Sequence, residues 1–113
     1  MSERIQSFRE FWPLYVSQHM NATCRHLHFA GSTIGLVILF FALATQRFWL
    51  VPLGFVQGYA FAWVGHFVIE KNRPATFQYP LWSFMGDWVM WGKMLTGQMG
   101  AEVEKVARSG VSL

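Results

Sequence analysis

The sequence predicts an all-α membrane protein whose centre is a two-span helical hairpin. Two long apolar segments carry almost no charge, hydrophobic residues make up 53% of the chain, and charged residues make up only 13%. An average soluble domain has about 25% charged residues. A soluble chain of 113 residues could not bury so many apolar side chains, because small domains have too much surface for their volume. We therefore expect a single membrane domain covering residues 1–113.

The first predicted element is an amphipathic helix over residues 3–20, with Ser2 as its N-cap. Its aromatic side chains recur at three- and four-residue spacing, which places them on one face of the helix. This arrangement is typical of a helix that lies on a membrane surface. Pro13 is expected to kink the helix or to divide it into two short pieces.

Two membrane-spanning helices are predicted next, over about residues 25–45 and 48–70. Asn21 or Thr23 is expected to cap the first of them. Both segments are long enough, because about 20 apolar residues span the hydrocarbon core of a bilayer. The two segments form the predicted hairpin.

The remaining chain is predicted to stay outside the bilayer core. The second span is expected to end at residues 72–74, which include a proline. A fourth helix over 81–98 carries Asp87 and Lys93, so it is too polar to span and should be interfacial or half-buried. The tail from Gly100 is short and charged, and we expect it to fray.

Basic residues are distributed unevenly around the two apolar segments. They are Arg4, Arg9 and Arg25 before the first segment, Lys71, Arg73 and Lys93 after the second, and only Arg47 between them. The positive-inside rule therefore predicts cytoplasmic termini for a multi-pass protein of a cell inner membrane or an endoplasmic reticulum membrane. The net charge is +3, but the basic residues are scattered singly, which argues against a nucleic-acid partner.

Three histidines and one acid are predicted to converge at the cytoplasmic end of the hairpin. His28 lies 19 residues before Arg47 and His66 lies 19 residues after it, so both are about 28 Å from the hairpin tip at about 1.5 Å per residue. Glu70 follows His66 by four residues and should share its helix face. His19 ends the preceding helix, across a short turn from His28.

This pattern predicts a metal site with His19, His28, His66 and Glu70 as ligands. Nitrogen and carboxylate donors suit iron, manganese or zinc, and histidines with one carboxylate and open positions are typical of non-haem iron oxygenases. His26 points about 200° away from His28 on a helix and is expected at the surface. Two alternatives remain: a bis-histidine haem protein that transfers electrons, and a non-catalytic membrane scaffold whose histidines are only hydrogen-bonded.

Asp87 joins Glu70 as a candidate catalytic residue. It could be a ligand, a partner of Lys93, or a group outside the ligand set that fixes a histidine tautomer, and we favour the last of these. Cys24 is the one cysteine, so it cannot form an internal disulfide, and alone it is weak support for a thiolate site.

Two motifs contain these residues. The first is Tyr15-x3-His19-x8-His28-x2-Gly31, with Cys24-Arg25 and Leu27-His28-Phe29 inside it. The second is Gly65-His66-x3-Glu70-Lys71-Asn72-Arg73-Pro74-Ala75-Thr76-Phe77, followed by Tyr79-Pro80-Leu81-Trp82 and Gly86-Asp87. Together the motifs cover most of residues 8–93, and the sequence resembles the 2-hydroxy-fatty-acid dioxygenase-like family of small membrane proteins.

The resemblance implies an iron(II)-dependent dioxygenase that shortens 2-hydroxy fatty acids by one carbon, the α-oxidation step of phytosphingosine breakdown. The metal-binding histidines of the family correspond to His19, His28 and His66. The implied partners are a 2-hydroxy fatty acid, O2 and membrane lipid, and a homo-oligomer is compatible with the sequence. By this resemblance the chain is expected to be a compact member without the additional hydrophobic segments of longer relatives, which leaves its substrate open.

The implied chemistry suggests roles for two arginines. A 2-hydroxy acid can chelate iron through its hydroxyl and one carboxylate oxygen. Arg25 or Arg73 could then bind the free carboxylate oxygen, since a guanidinium group matches a carboxylate bidentately. The alternative for both arginines is that they only anchor the cytoplasmic side of the protein.

Overall fold

The computed structural model describes residues 5–74 and 77–109, and over these residues the chain is helical with no strand. The predicted all-α class is confirmed. The elements are α1 (Phe8–Ser17), α2 (Ala22–Thr45), α3 (Leu50–Val64), a π-helical segment that continues α3 (Gly65–Glu70), α4 (Pro80–Leu95) and α5 (Met99–Ser109).

Helix α1 is shorter than predicted and is not divided. Ser7 is its N-cap, with Oγ accepting a hydrogen bond from the backbone N–H of Glu10 at 3.2 Å. The expected cap, Ser2, lies outside the described residues. Pro13 lies inside one continuous helix. It removes the N–H that would bond the carbonyl of Arg9, an exposed residue where water can take its place.

Helices α2 and α3 pack against each other as a close antiparallel hairpin. Asn21 caps α2 by accepting from the N–H of Thr23 at 2.8 Å. A Cβ added to Gly31 would lie 3.0 Å from Phe61 Cβ, so the two backbones approach as only glycine allows. Gln57 joins the helices, because its Nε2 donates to the Gly31 carbonyl at 2.8 Å.

One helix among the described residues is long and apolar enough to cross a membrane by length and composition. This helix is α2, with 24 residues and a mean hydropathy of 2.0. Helix α3 has 15 residues, because its predicted C-terminal part is π-helical. The helical backbone nevertheless runs without interruption from residue 50 to residue 70.

For residues 100–109 the expectation that the tail from Gly100 frays is wrong, and residues 110–113 lie outside the described residues. Helix α5 buries Met99 and Val106, whose spacing gives the helix one apolar face, against the core of α1 and α4. The polar side of the contact is Glu102, which accepts from Trp12 Nε1 at 2.8 Å and from Lys93 Nζ at 3.2 Å. One of the charged residues that suggested fraying, Glu102, therefore makes a tertiary contact that holds the tail in place.

The described part of the core lies between α1, α4 and α5, beside the hairpin. Its buried members are Phe11, Tyr15, Val16, Met90, Met99 and Val106. Helix α1 and the turn after it are therefore fixed from one side by α4 and α5. The hairpin contacts them from the other side, and the histidines meet at this junction.

Candidate metal centre

Three histidines from three different elements meet in one buried cluster. His19 lies in the turn after α1, His28 lies in α2, and His66 lies in the π-helical segment. Their ring centroids are 4.5 to 5.0 Å apart. Their exposed fractions are 1%, 5% and 3%, so the rings are shielded from water.

The Nδ1 atom of each ring faces an oxygen acceptor. The contacts are His19 Nδ1 to the Tyr15 carbonyl at 2.6 Å, His28 Nδ1 to the Cys24 carbonyl at 3.0 Å, and His66 Nδ1 to Asn72 Oδ1 at 2.8 Å. Because these oxygens only accept, each Nδ1 carries the proton and each Nε2 keeps its lone pair. Tautomers assigned in this way are those of metal-binding histidines.

The Nε2 atoms of His19 and His28 are 3.2 Å apart. Two lone pairs at this distance repel each other unless a cation lies between them. The separation also suits two ligands that each lie about 2.0–2.1 Å from one metal ion. Burial lowers the pKa of His19 well below its usual value, and the nearby His28 and His66 lower it further, so His19 is neutral and able to bind metal.

Cys24 is the fourth member of the cluster. One ligand atom from each of His19, Cys24, His28 and His66 lies within 4.8 Å of the others, and all four residues are buried. Gly65 makes room for the thiol, since a Cβ there would lie 2.8 Å from Cys24 Sγ. The sequence contained a signal for this placement: Cys24 precedes His28 by four residues on one helix, so the two share a face.

Glu70, predicted as a ligand, is directed to a different partner. Its Oε2 accepts from the backbone N–H of Asn21 at 2.6 Å. Asn21 is the N-cap of α2, where unpaired N–H groups and the helix dipole favour an acid. Among the described residues the structure therefore brings Cys24, rather than Glu70, into the group with the three histidines.

Residues 70–72 hold the turn that carries His19. Glu70 bonds the N–H of Asn21, and Asn72 Nδ2 donates to the carbonyl of Gln18 at 3.2 Å. Lys71, between them, adopts a left-handed conformation with φ of 59° that ends the helix. Asn72 therefore holds two histidines in place. It accepts a hydrogen bond from His66, and it bonds the carbonyl of Gln18 in the turn that carries His19.

The two arginines proposed for substrate binding have other contacts. Arg25 Nη1 donates to the carbonyls of His19 and Met20, both at 2.8 Å. The Arg73 guanidinium lies 5.1 Å from the ring centre of Phe77. Neither arginine lines the cavity described below.

Asp87 is bonded to Tyr15 and not to Lys93. The Tyr15 hydroxyl donates to Asp87 Oδ1 at 2.5 Å, whereas Lys93 pairs with Glu102. The Tyr15 ring stacks on His19 with centroids 4.0 Å apart. Burial raises the pKa of Tyr15 well above its usual value, so the hydroxyl keeps its proton. Burial also raises the pKa of Asp87 to about 7, against the opposing effect of the Tyr15 hydrogen bond.

An apolar cavity of about 320 Å³ runs from the histidine cluster along the hairpin between α2, α3 and α4. His28 and Asp87 line one end of it, and Leu39 and Val51 line the other. Eleven residues of α2 separate His28 from Leu39, which is about 16 Å at about 1.5 Å per residue. The site thus combines a set of metal donors with a long apolar channel that ends at one of them.

The family model described as 2-hydroxy-palmitic acid dioxygenase Mpo1-like matches residues 5–99. The chain belongs to the Mpo1-like family. No curated protein and no solved structure matches it. The matched range includes the three histidines, Cys24, Asn72 and Asp87 of this Mpo1-like chain. It extends from the residues before α1 to the first residue of α5.

The donor set of the Mpo1-like chain fits a divalent metal ion of the first transition row. Imidazole suits iron, zinc and copper, and three neutral imidazoles leave further positions on an octahedral ion open. The distance between the Nε2 atoms of His19 and His28 and the oxygen acceptors on each Nδ1 both agree with metal binding through Nε2. The geometry fits a first-row divalent ion but does not select iron among them, since the Cys24 thiol also suits zinc.

Proposed function

We propose that this chain is an iron(II)-dependent dioxygenase that shortens 2-hydroxy fatty acids by one carbon at a membrane. The observation that carries the proposal is that the metal-donor cluster and the apolar cavity meet at His28. This residue belongs to the buried histidine cluster and lines the polar end of the apolar cavity. A fatty acid in the cavity would therefore present its polar end to the metal donors. Family membership supports the same reaction class.

The histidines would hold the metal through Nε2, and bound iron(II) would supply oxygen activation and a template for the substrate hydroxyl and carboxylate. The protein contributes orientation and exclusion of water. Oxygen acceptors on Nδ1 hold each ring in place, and the rings are almost fully buried. A dry site protects reactive oxygen chemistry from side reactions.

The haem alternative is not favoured by the geometry. A haem bound between two histidines would have to separate their rings. The His28 and His66 rings are in edge contact with centroids 5.0 Å apart, and His19 packs against both. A macrocycle has no space between these rings, whereas a single ion does.

The membrane arrangement belongs to this proposal: α2 would form one span, and α3 with the π-helical segment the other. Large apolar side chains on the outer faces of both helices are exposed, including Val37 at 64%, Phe40 at 68% and Val56 at 65%. Such exposure is costly in water and favourable in lipid. Helix α4 would lie at the cytoplasmic interface, and both termini would be cytoplasmic.

The proposal is tested by purifying the protein with iron(II) under nitrogen and then measuring oxygen consumption with 2-hydroxypalmitic acid. We expect consumption that depends on both iron and the 2-hydroxy acid, with a product one carbon shorter. His19→Ala, His28→Ala and His66→Ala should each lose most of the bound iron. His26→Ala is the matched control, because His26 is exposed and lies outside the cluster.

Two results would contradict the proposal. Equal iron retention by all four variants would remove the metal site. A wild-type protein that binds iron and the fatty acid but consumes no oxygen would show that the site is not a dioxygenase.

A further inference from the structure

Asp87 lies at the junction of two cavities. The large apolar cavity and a smaller pocket that reaches His66 are both lined by His28, Tyr59, Ala62 and Asp87. The head group of an acyl ligand, passing from the apolar cavity towards the histidines, would pass this junction. Asp87 is the acid among the residues that line it.

The carboxyl group of Asp87 is held so that one oxygen remains for a ligand. Tyr15, which is fully buried, donates to Oδ1 at 2.5 Å, and this is the hydrogen bond that Asp87 makes among the described residues. Gly86 gives the Tyr15 ring its place, since a Cβ there would lie 2.7 Å from Tyr15 Cδ2. With Oδ1 engaged and the ring immobile, Oδ2 is the free acceptor of the group.

The charges around the junction decide which part of a ligand fits beside Asp87. The arginines that could offset a second carboxylate bond elsewhere, Arg25 to backbone carbonyls and Arg73 against Phe77. Lys93 pairs with Glu102. Above its pKa of about 7 the Asp87 carboxyl is ionised, so a ligand carboxylate beside it would meet a like-charged group without compensation. A ligand hydroxyl, which can donate a hydrogen bond, would meet an acceptor.

We propose that Asp87, oriented by Tyr15, is a specificity-determining residue that accepts a hydrogen bond from the 2-hydroxyl group of the fatty acid. This inference rests on the proposed function. It orients the substrate: the hydroxyl directs its proton towards Asp87, while the hydroxyl oxygen and the carboxylate lie towards the metal. It also predicts how the site distinguishes a 2-hydroxy acid from the unsubstituted acid of the same length.

The test is ligand binding to the full chain loaded with iron(II), under nitrogen where no turnover occurs. Binding is measured at a pH above the Asp87 pKa of about 7, where the carboxyl is ionised. Binding of 2-hydroxypalmitic acid and of palmitic acid is compared for the wild-type protein and Asp87→Asn. The asparagine keeps the size and, with its oxygen facing Tyr15, places an NH2 group where Oδ2 was. A hydrogen bond to a charged group contributes about 1.5–3 kcal/mol, which is about tenfold or more in affinity.

We expect Asp87→Asn to bind 2-hydroxypalmitic acid at least about tenfold more weakly and palmitic acid unchanged. Tyr15→Phe, which keeps the ring against His19 but releases Oδ1, should lose part of the same preference. Unchanged binding of both acids by Asp87→Asn would overturn the proposal. Equal weakening for both acids would also overturn it, because that is the signature of a structural role.

Admitting air to the wild-type complex separates this inference from the proposed function. Selective loss of 2-hydroxypalmitate binding in Asp87→Asn, with no oxygen consumption by the wild type, would support hydroxyl recognition and contradict the dioxygenase. Oxygen consumption by the wild type, with equal binding of 2-hydroxypalmitic acid by the wild type and Asp87→Asn, would support the dioxygenase and contradict hydroxyl recognition by Asp87.

Discussion

Each clustered histidine has an oxygen acceptor on Nδ1, but the acceptors differ in origin. For His19 and His28 the acceptor is the backbone carbonyl four residues earlier, which local chain geometry supplies. For His66 it is the side chain of Asn72, beyond the end of the helix. The orientation of His66 therefore depends on one side chain that mutation can remove.

Asn72→Ala should weaken metal binding by about 10–100-fold, the usual effect of removing the partner of a ligand histidine. The His66 ring would lose its acceptor, and the turn with His19 would lose its bond through the Gln18 carbonyl. Metal titration of the purified protein measures the effect. Asn72→Asp separates the two effects, because it keeps an acceptor for His66 but has no donor for the Gln18 carbonyl; it should restore only the part of the affinity that depends on the orientation of His66. Full affinity in Asn72→Ala would show that His66 is oriented by packing alone.

Glu70→Gln tests whether the acid binds metal or holds the turn. The glutamine oxygen can still accept from the N–H of Asn21, so we expect metal binding within about threefold of wild type, a change of less than about 1 kcal/mol. Glu70→Ala should reduce thermal stability, because it leaves a helix-terminal N–H without its partner. Loss of metal in Glu70→Gln would instead identify the carboxylate as a ligand, the role that the sequence suggested.

At the scale of elements, the contact between α2 and the π-helical segment positions His28 and His66 relative to each other. Gly65, one residue before His66, begins the π segment and packs directly on Cys24. π-Helical turns inside helices often occur at functional sites. Here the segment lets the backbone approach α2 while His66 faces the other two histidines.

Gly65→Ala should destabilise the protein by about 1–3 kcal/mol, the usual cost of overpacking a filled interior. The added Cβ would lie 2.8 Å from Cys24 Sγ and 3.4 Å from Cys24 Cα. Thermal unfolding in detergent, followed by circular dichroism, measures the loss. Combining Gly65→Ala with Cys24→Ala removes the thiol that collides, so the double variant should recover most of the stability that Gly65→Ala loses in the presence of Cys24. Purely additive effects would exclude this contact as the cause.

At the scale of the whole molecule, the proposed topology places the hairpin turn and α5 on opposite sides of a membrane. Gln46 is exposed in the turn, and Lys105 is exposed on α5. In a Cys24→Ser background, single cysteines at these two positions should react with an impermeant thiol reagent from opposite sides of sealed vesicles. A cysteine at Gln98, in the exposed turn before α5, should label on the same side as Lys105. Labelling of positions 46 and 105 from one side would rule out the two-span hairpin.

The depth of the histidines could be predicted from the sequence, but the partners of the site could not. Equal counts of residues from the hairpin tip place His28 and His66 at one level, because the rise per residue of a helix is a local property. The direction of Glu70 towards Asn21 depends on where a helix from another part of the chain begins. Likewise, Asn72 acts beyond the last residue of its helix, where periodicity carries no information.

The sequence by itself determined the helical class, the two apolar segments and the histidines that meet, since periodicity, composition and helix rise depend on neighbouring residues. The tertiary structure alone decided that Tyr15 holds Asp87 and that the charged tail is a docked helix, and it turned the shared helix face of Cys24 and His28 into membership of the cluster. Each of these needs the rotation of one element against another, which is set by close packing between residues far apart in the chain. Tyr15 and Asp87, for example, are 72 positions apart and meet because Gly86 leaves space for a ring.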